Sequence, residues 1–135
     1  MKKTTIQASL EFIGDKFDTD YVTALLNKEP DCLVIKGEII KTTMRKSIIT
    51  VWGICVEQSE SMDMDTHLVP IFEFIENRLE QLKLLKQMFD AEWQINIFIT
   101  IRNENVPGMV LSSKQIKLAN AIEATIDIDL YVHQY

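Results

Sequence analysis

The sequence predicts an α+β domain with a mainly antiparallel sheet covered by helices, one of them long. Its order is ferredoxin-like, β-α-β-β-α-β, with a C-terminal α-β extension. Two observations carry this reading. Residues Asp65 to Asp90 place Leu68, Ile75, Leu82 and Phe89 at every seventh position, with Ile71, Phe72, Leu79 and Leu85 on the same side, which is one apolar stripe along a helix. The segments before and after it alternate with a period of two, so the partner on offer to that stripe is a sheet.

Each element has a local cause. In Thr4 to Ile13, Ile6, Ala8, Leu10 and Phe12 point one way and Thr5, Gln7, Ser9 and Glu11 the other, a strand with one buried face that Gly14 and Asp15 end. Asp18 caps a short helix carrying Val22, Leu25 and Leu26, and Asn27 and Pro30 close it. Cys32 to Ile40 reads as a second strand weakened by Gly37. Lys46 to Val56 reads as a third, apolar on both faces and therefore central. Glu57 to Met64 is a polar loop.

The long helix starts near Thr66 to Leu68, because Pro70 has no N–H to donate and fits the first turn, with Asp63 and Asp65 as cap residues. A helix of about 20 to 24 residues spans about 30 to 36 Å, enough to cross a sheet. Its outer side carries Glu73, Glu76 and Glu80 early and Lys83 and Lys86 late, in keeping with the helix dipole. Trp93 to Arg102 is the most regular strand. Asn103 to Gly108 is a turn with Asn105, Pro107 and Gly108, and Met109 to Leu111 is at most a strand fragment. Ser112 and Gln115 form a capping box for a helix with Ile116, Ala119 and Ile122. Thr125 to His133 is the last strand, with Ile126, Ile128, Leu130 and Val132 inward and Thr125, Asp127, Asp129, Tyr131 and His133 outward.

With 135 residues, 47% of them hydrophobic, the chain is expected to form a single domain, 1–135, with a core that needs no disulfide. The N-terminal MKKTTIQASLEF lacks the apolar run of a secretion signal, and no apolar run is long enough to span a bilayer. A cytoplasmic location without membrane insertion is expected. Cys32 and Cys55 stand 23 residues apart without metal-ligand spacing and read as free thiols. A net charge of −6 argues against nucleic acid, whose affinity for proteins rests on Lys and Arg neutralising phosphates, and leaves a basic protein partner open.

The stretches SLEFIGDKFDTDYVTALLNKEP (9–30), KGE (36–38), MDMDTHL (62–68) and VPGMVLSSKQIKLANAIEATIDIDLYV (106–132) together resemble the bacterial domain of unknown function 4279 family over nearly the whole chain. The resemblance implies a small bacterial α+β protein of the cytosol. It brings no established activity, substrate or catalytic residue.

No reactive motif is complete. Asp63, Asp65 and His67 are metal-binding types, yet Leu68 and Phe74 stand where a calcium loop needs its glycine and its final carboxylate, so capping is the simpler role. Asp127 and Asp129 lie about 7 Å apart on one side of a strand, a spacing at which two carboxylates can divide acid and base work. No GxSxG elbow accompanies His67 or His133, and the four glycines are too scattered to form a phosphate loop. The remaining candidate is the sheet face away from the helices, where Phe98 and Tyr131 sit in a polar surround of the kind seen in protein interfaces. The expected function is thus a noncatalytic bacterial binding or regulatory protein, of immunity type among the options, acting through protein contacts. Its binding residues are Phe98, Asp127, Asp129, Tyr131 and His133, no catalytic or metal residue is assigned, and no cofactor is expected. The partner is another protein or a second copy of the chain. The alternative is a small enzyme or ligand-binding domain with a carboxylate-lined cleft at the last strand.

Overall fold

A computed structural model describes residues 3–60, 63–103 and 106–133. Its elements are β1 (Thr5–Gly14), α1 (Thr19–Leu26), β2 (Cys32–Val34), β3 (Ile39–Ile40), β4 (Arg45–Lys46), β5 (Thr50–Ser59), α2 (Asp65–Asn77), α3 (Leu79–Met88), β6 (Ala91–Ile101), α4 (Ser113–Ala121) and β7 (Thr125–Val132). The fold is α+β, and five strands form one sheet in the order β2-β5-β1-β6-β7. β1 is central and antiparallel to both β5 and β6, β2 is antiparallel to β5, and β7 alone runs parallel to its neighbour β6. A parallel pair needs a crossover, and α4 supplies it. β3 and β4 form a separate two-stranded arm.

Strict alternation in β1 and β6 decides which face is covered. Ile6, Ala8, Leu10 and Phe12 of β1 and Trp93, Ile95, Ile97 and Ile99 of β6 are buried under the helices. Phe12 stacks on Trp93 with ring centroids 4.4 Å apart, and Trp93 meets Trp52 edge-on at 6.5 Å. An indole buried this deeply must place its N–H. Trp93 donates to the Leu82 carbonyl of α3 at 3.0 Å, and Trp52 donates to Thr23 Oγ1 of α1 at 3.0 Å. Both bonds fix helix to sheet. The ends of α1 and the start of α4 follow their sequence signals: Asp18 accepts from the Tyr21 N–H, Asn27 takes the left-handed conformation after α1, and the Ser112–Gln115 capping box is complete. α2 instead has Met64 at its N-cap with no side-chain cap bond, and Pro70 lies inside it.

Four expectations are corrected. The helix predicted over Asp65–Asp90 is broken at Arg78, whose φ of −127° and ψ of 25° leave the helical region. No proline or glycine causes this. Arg78 Nε instead donates to the Leu26 carbonyl at the end of α1, 2.7 Å away, and its guanidinium lies over the Phe74 ring at 4.3 Å. The predicted strand Cys32–Ile40 ends at Val34, and the chain turns at Gly37, whose φ is +90°, into the β3–β4 arm. The third strand starts at Thr50, not Lys46, because the Ser47 hydroxyl bonds both the N–H and the carbonyl of Ile49 and holds a local turn, leaving Ile48 80% exposed. It also runs on to Ser59, into the predicted loop.

The fourth concerns β7. Ile126 packs at the edge of the core, but Ile128, Leu130 and Val132 are 41, 52 and 68% exposed, since β7 is an outer strand and the helices do not reach over it. Met109–Leu111 forms no strand, and Asn105 of the predicted turn lies outside the described residues. Among the described residues no helix is long and apolar enough to cross a membrane.

Candidate functional site

The face of the sheet opposite the helices is built in rows set by strand register. Cys32, Gly53, Glu11, Gln94 and Thr125 form one row. Cys55, Ser9, Asn96 and Asp127 form the next, then Gln7, Phe98 and Asp129, then Thr5, Thr100 and Tyr131. Same-face neighbours on adjacent strands lie close enough to bond, and they do. Asn96 Nδ2 donates to Glu11 Oε1 at 2.5 Å and to Ser9 Oγ at 3.3 Å. Gln94 Nε2 donates to Asn96 Oδ1 at 2.7 Å and to Asp127 Oδ2 at 3.2 Å. A chain of side-chain amides thus joins two carboxylates on three neighbouring strands.

Next to this network Phe98 and Tyr131 stack with ring centroids 4.7 Å apart and planes 26° from parallel, and both rings are exposed. Phe98 and Tyr131 stand on adjacent strands in diagonal register, within reach for aromatic rings. An open hollow of about 400 Å³ runs over the sheet here, lined by Gln7, Ser9, Glu11, Cys55, Asn96, Phe98 and Asp129 among others. Gly53 contributes to the relief, since it has no side chain and Glu11 Cγ lies 2.9 Å from where a Cβ would stand.

The five residues singled out from sequence divide accordingly. Phe98 and Asp129 line the hollow, Tyr131 joins it by stacking on Phe98, and Asp127 joins it through Gln94. His133 is exposed beyond the end of β7, where its N–H donates to the Ile101 carbonyl at 2.9 Å, and it does not line the hollow. Cys55 was not among the predicted face residues. The alternation of β5 carries the signal, but both faces of that strand read as apolar, which hid it.

The thiols are held protonated. Burial pushes the Cys32 thiol up, and Glu11 pushes it further. Burial again leads for Cys55, followed by Cys32, Asp31 and Glu11. A thiol among carboxylates is the reverse of an activated nucleophile. At the start of α2, the Asp63 carboxylate accepts from the Asp65 N–H and the Thr66 hydroxyl, each at 3.0 Å, while His67 is buried in the helix. Among the described residues no group of three or more His, Cys, Asp or Glu side chains gathers to hold a metal.

The family model described as Domain of unknown function (DUF4279) matches residues 3–133. No curated protein and no solved structure matches the chain.

Proposed function

The chain belongs to the family of the domain of unknown function DUF4279, and from that premise we propose that it is a noncatalytic binding or regulatory protein whose partner is a basic protein segment. The observation that carries this reading is the exposed Phe98–Tyr131 stack set beside Glu11, Asp127 and Asp129 on an uncovered sheet face. Aromatic rings supply contact area at little entropic cost, and carboxylates around them select Arg or Lys, whose guanidinium also stacks on rings. The protonated thiols support a binding surface over a reactive one. A bacterial, cytoplasmic, immunity-type role is compatible with this chemistry.

The fold reading that goes with it is a ferredoxin-like unit. It is supported by the antiparallel order β2-β5-β1-β6, with β3-β4 as an inserted arm and α4-β7 as an extension.

The test is affinity capture from the native host with the native chain and with F98A/Y131A as baits. The proposal expects a basic protein retained by the native chain, released by salt and lost with the double variant, whose circular dichroism stays native. Equal capture by both baits removes the reading.

A second reading, a ligand-binding domain using the carboxylate-lined hollow, is favoured by the roughly 400 Å³ of space between Glu11 and Asp129. Calorimetric titration with small cations such as diamines distinguishes it. Saturable binding lost in E11Q supports it, and no heat at millimolar ligand removes it.

A further inference from the structure

β7 is an outer strand, and its outer edge matches itself. His133 donates its N–H inward to Ile101 on β6. Backbone groups alternate sides along a strand, so Asp127, Asp129 and Tyr131 also turn theirs inward, and Ile128, Leu130 and Val132 turn theirs outward. The side chains of those three form the exposed row on the helix side of β7, and Ile128 shares an apolar hollow of about 170 Å³ with the exposed Met109 and Val110. Outer strands are commonly blunted by lysine, proline or a bulge, and Thr125–Val132 carries none of these.

We propose that this edge pairs antiparallel with the same edge of a second copy of the chain, about a twofold axis through Leu130, joining two five-stranded sheets into one of ten strands. Charge selects the register. Centring on Ile128 sets Asp127 against Asp129 twice, and centring on Asp127 or Asp129 sets that carboxylate against itself. Centring on Tyr131 keeps only Leu130–Val132 of β7 paired within the strand, against Ile128–Val132 when centred on Leu130.

Centring on Leu130 sets Asp127 of each copy opposite His133 of the other, Asp129 opposite Tyr131, and Ile128 opposite Val132. The outward backbone groups of Leu130 then exchange hydrogen bonds across the axis. The Asp127–His133 and Asp129–Tyr131 pairs fall at the closely spaced positions, with Cα atoms about 4.5 Å apart. A carboxylate facing an imidazole or a phenol has a hydrogen-bonding neighbour instead of a second carboxylate, apolar cross-strand pairs favour association, and a self-complementary patch closes as a dimer. This surface is the edge and the helix-side row of β7, so the inference stands apart from the open-face reading above.

Sedimentation of the purified native chain reads the dimer, and amide hydrogen exchange reads the edge without any substitution. The proposal expects Ile128, Leu130 and Val132 amides to gain protection as concentration rises, while Asp129 and Tyr131 stay protected throughout. L130K, with two ammonium groups on the axis, sediments as a monomer. D127K and H133E each weaken the dimer by about tenfold, and D127K/H133E restores it, since residues 127 and 133 of one chain are about 20 Å apart and meet only across the axis. A native chain that is monomeric at about 1 mM overturns the proposal, as does a dimer unmoved by L130K. A double variant no better than the single ones overturns the register.

Discussion

Arg78 and Leu26 are joined by a 2.7 Å hydrogen bond from the arginine Nε to the leucine carbonyl, at the point where the long helical segment breaks and α1 ends. The last carbonyls of a helix have no partner within it. Here a side chain from another element takes one, while its guanidinium covers Phe74. The same residue therefore ends α2, starts α3 and ties both to α1.

Replacing Arg78 by Ala removes a charge-assisted bond and a cation–π contact and should lower unfolding stability by about 2 kcal/mol. R78K keeps the charge but not the planar fork and should recover less than half of that loss. Urea denaturation of the three chains measures both. A loss within about 0.5 kcal/mol of zero for R78A shows that the break is fixed by the backbone instead.

The Phe98–Tyr131 stack should be measurable in the free protein. Because both rings are exposed, F98A and Y131A should each leave the fold intact, and a double-mutant cycle should give a coupling of about 0.5 to 1.5 kcal/mol. Additive effects mean the rings do not stay stacked in solution.

Gly14 is a strand terminator by sequence, and packing gives it a second role. A Cβ there would meet Ala91 Cβ at 2.8 Å and the Asp90 carbonyl at 2.9 Å, and one of these is backbone that cannot swing aside. G14A should cost about 1 to 3 kcal/mol. At Gly108 nothing lies within 4 Å, and G108A should be neutral within about 0.5 kcal/mol or slightly stabilising. Thermal unfolding of the pair separates a steric cost from a general glycine effect.

Periodicity and cap chemistry made much of this fold legible. β1 and β6 alternate along most of their length, and Asp18, Asn27 and Ser112–Gln115 mark helix ends through bonds to their own backbone neighbours. What escaped depends on residues far apart in the chain. At the break Arg78 bonds Leu26, 52 positions away, and no local signal announces that contact. Ile39, Ile48 and Ile49 look like strand residues but are exposed, the first on an arm entered through the turn at Gly37 and the other two at the turn that the Ser47 hydroxyl holds. Ile128, Leu130 and Val132 alternate as an inward row would, yet alternation names a face and not whether a helix covers it. The candidate site was legible as a face, through Phe98, Tyr131 and the two aspartates. The amide relay through Asn96 and Gln94 needed the register, which no single strand contains.

The thiols make the last prediction, and its sign follows from what surrounds them. Burial, with Glu11 adding to it, raises Cys32 above the ordinary value of 9.0, and burial leads again for Cys55. A thiol whose pKa is higher folded than unfolded stabilises the fold fully below the unfolded value, and that contribution is lost as pH rises through the folded value. Unfolding free energy should therefore fall above about pH 9 more steeply in the native chain than in C32A/C55A. At pH 8 iodoacetamide should modify the folded chain more slowly than the urea-unfolded one, because the thiolate is the reacting form. E11Q removes a negative charge that acts second on Cys32 and last on Cys55, so it should speed modification of Cys32 more than of Cys55. Peptide mapping of the labelled sites gives both rates. Equal rates in the native chain and E11Q would show that Glu11, held by Asn96, does not reach the thiols electrostatically.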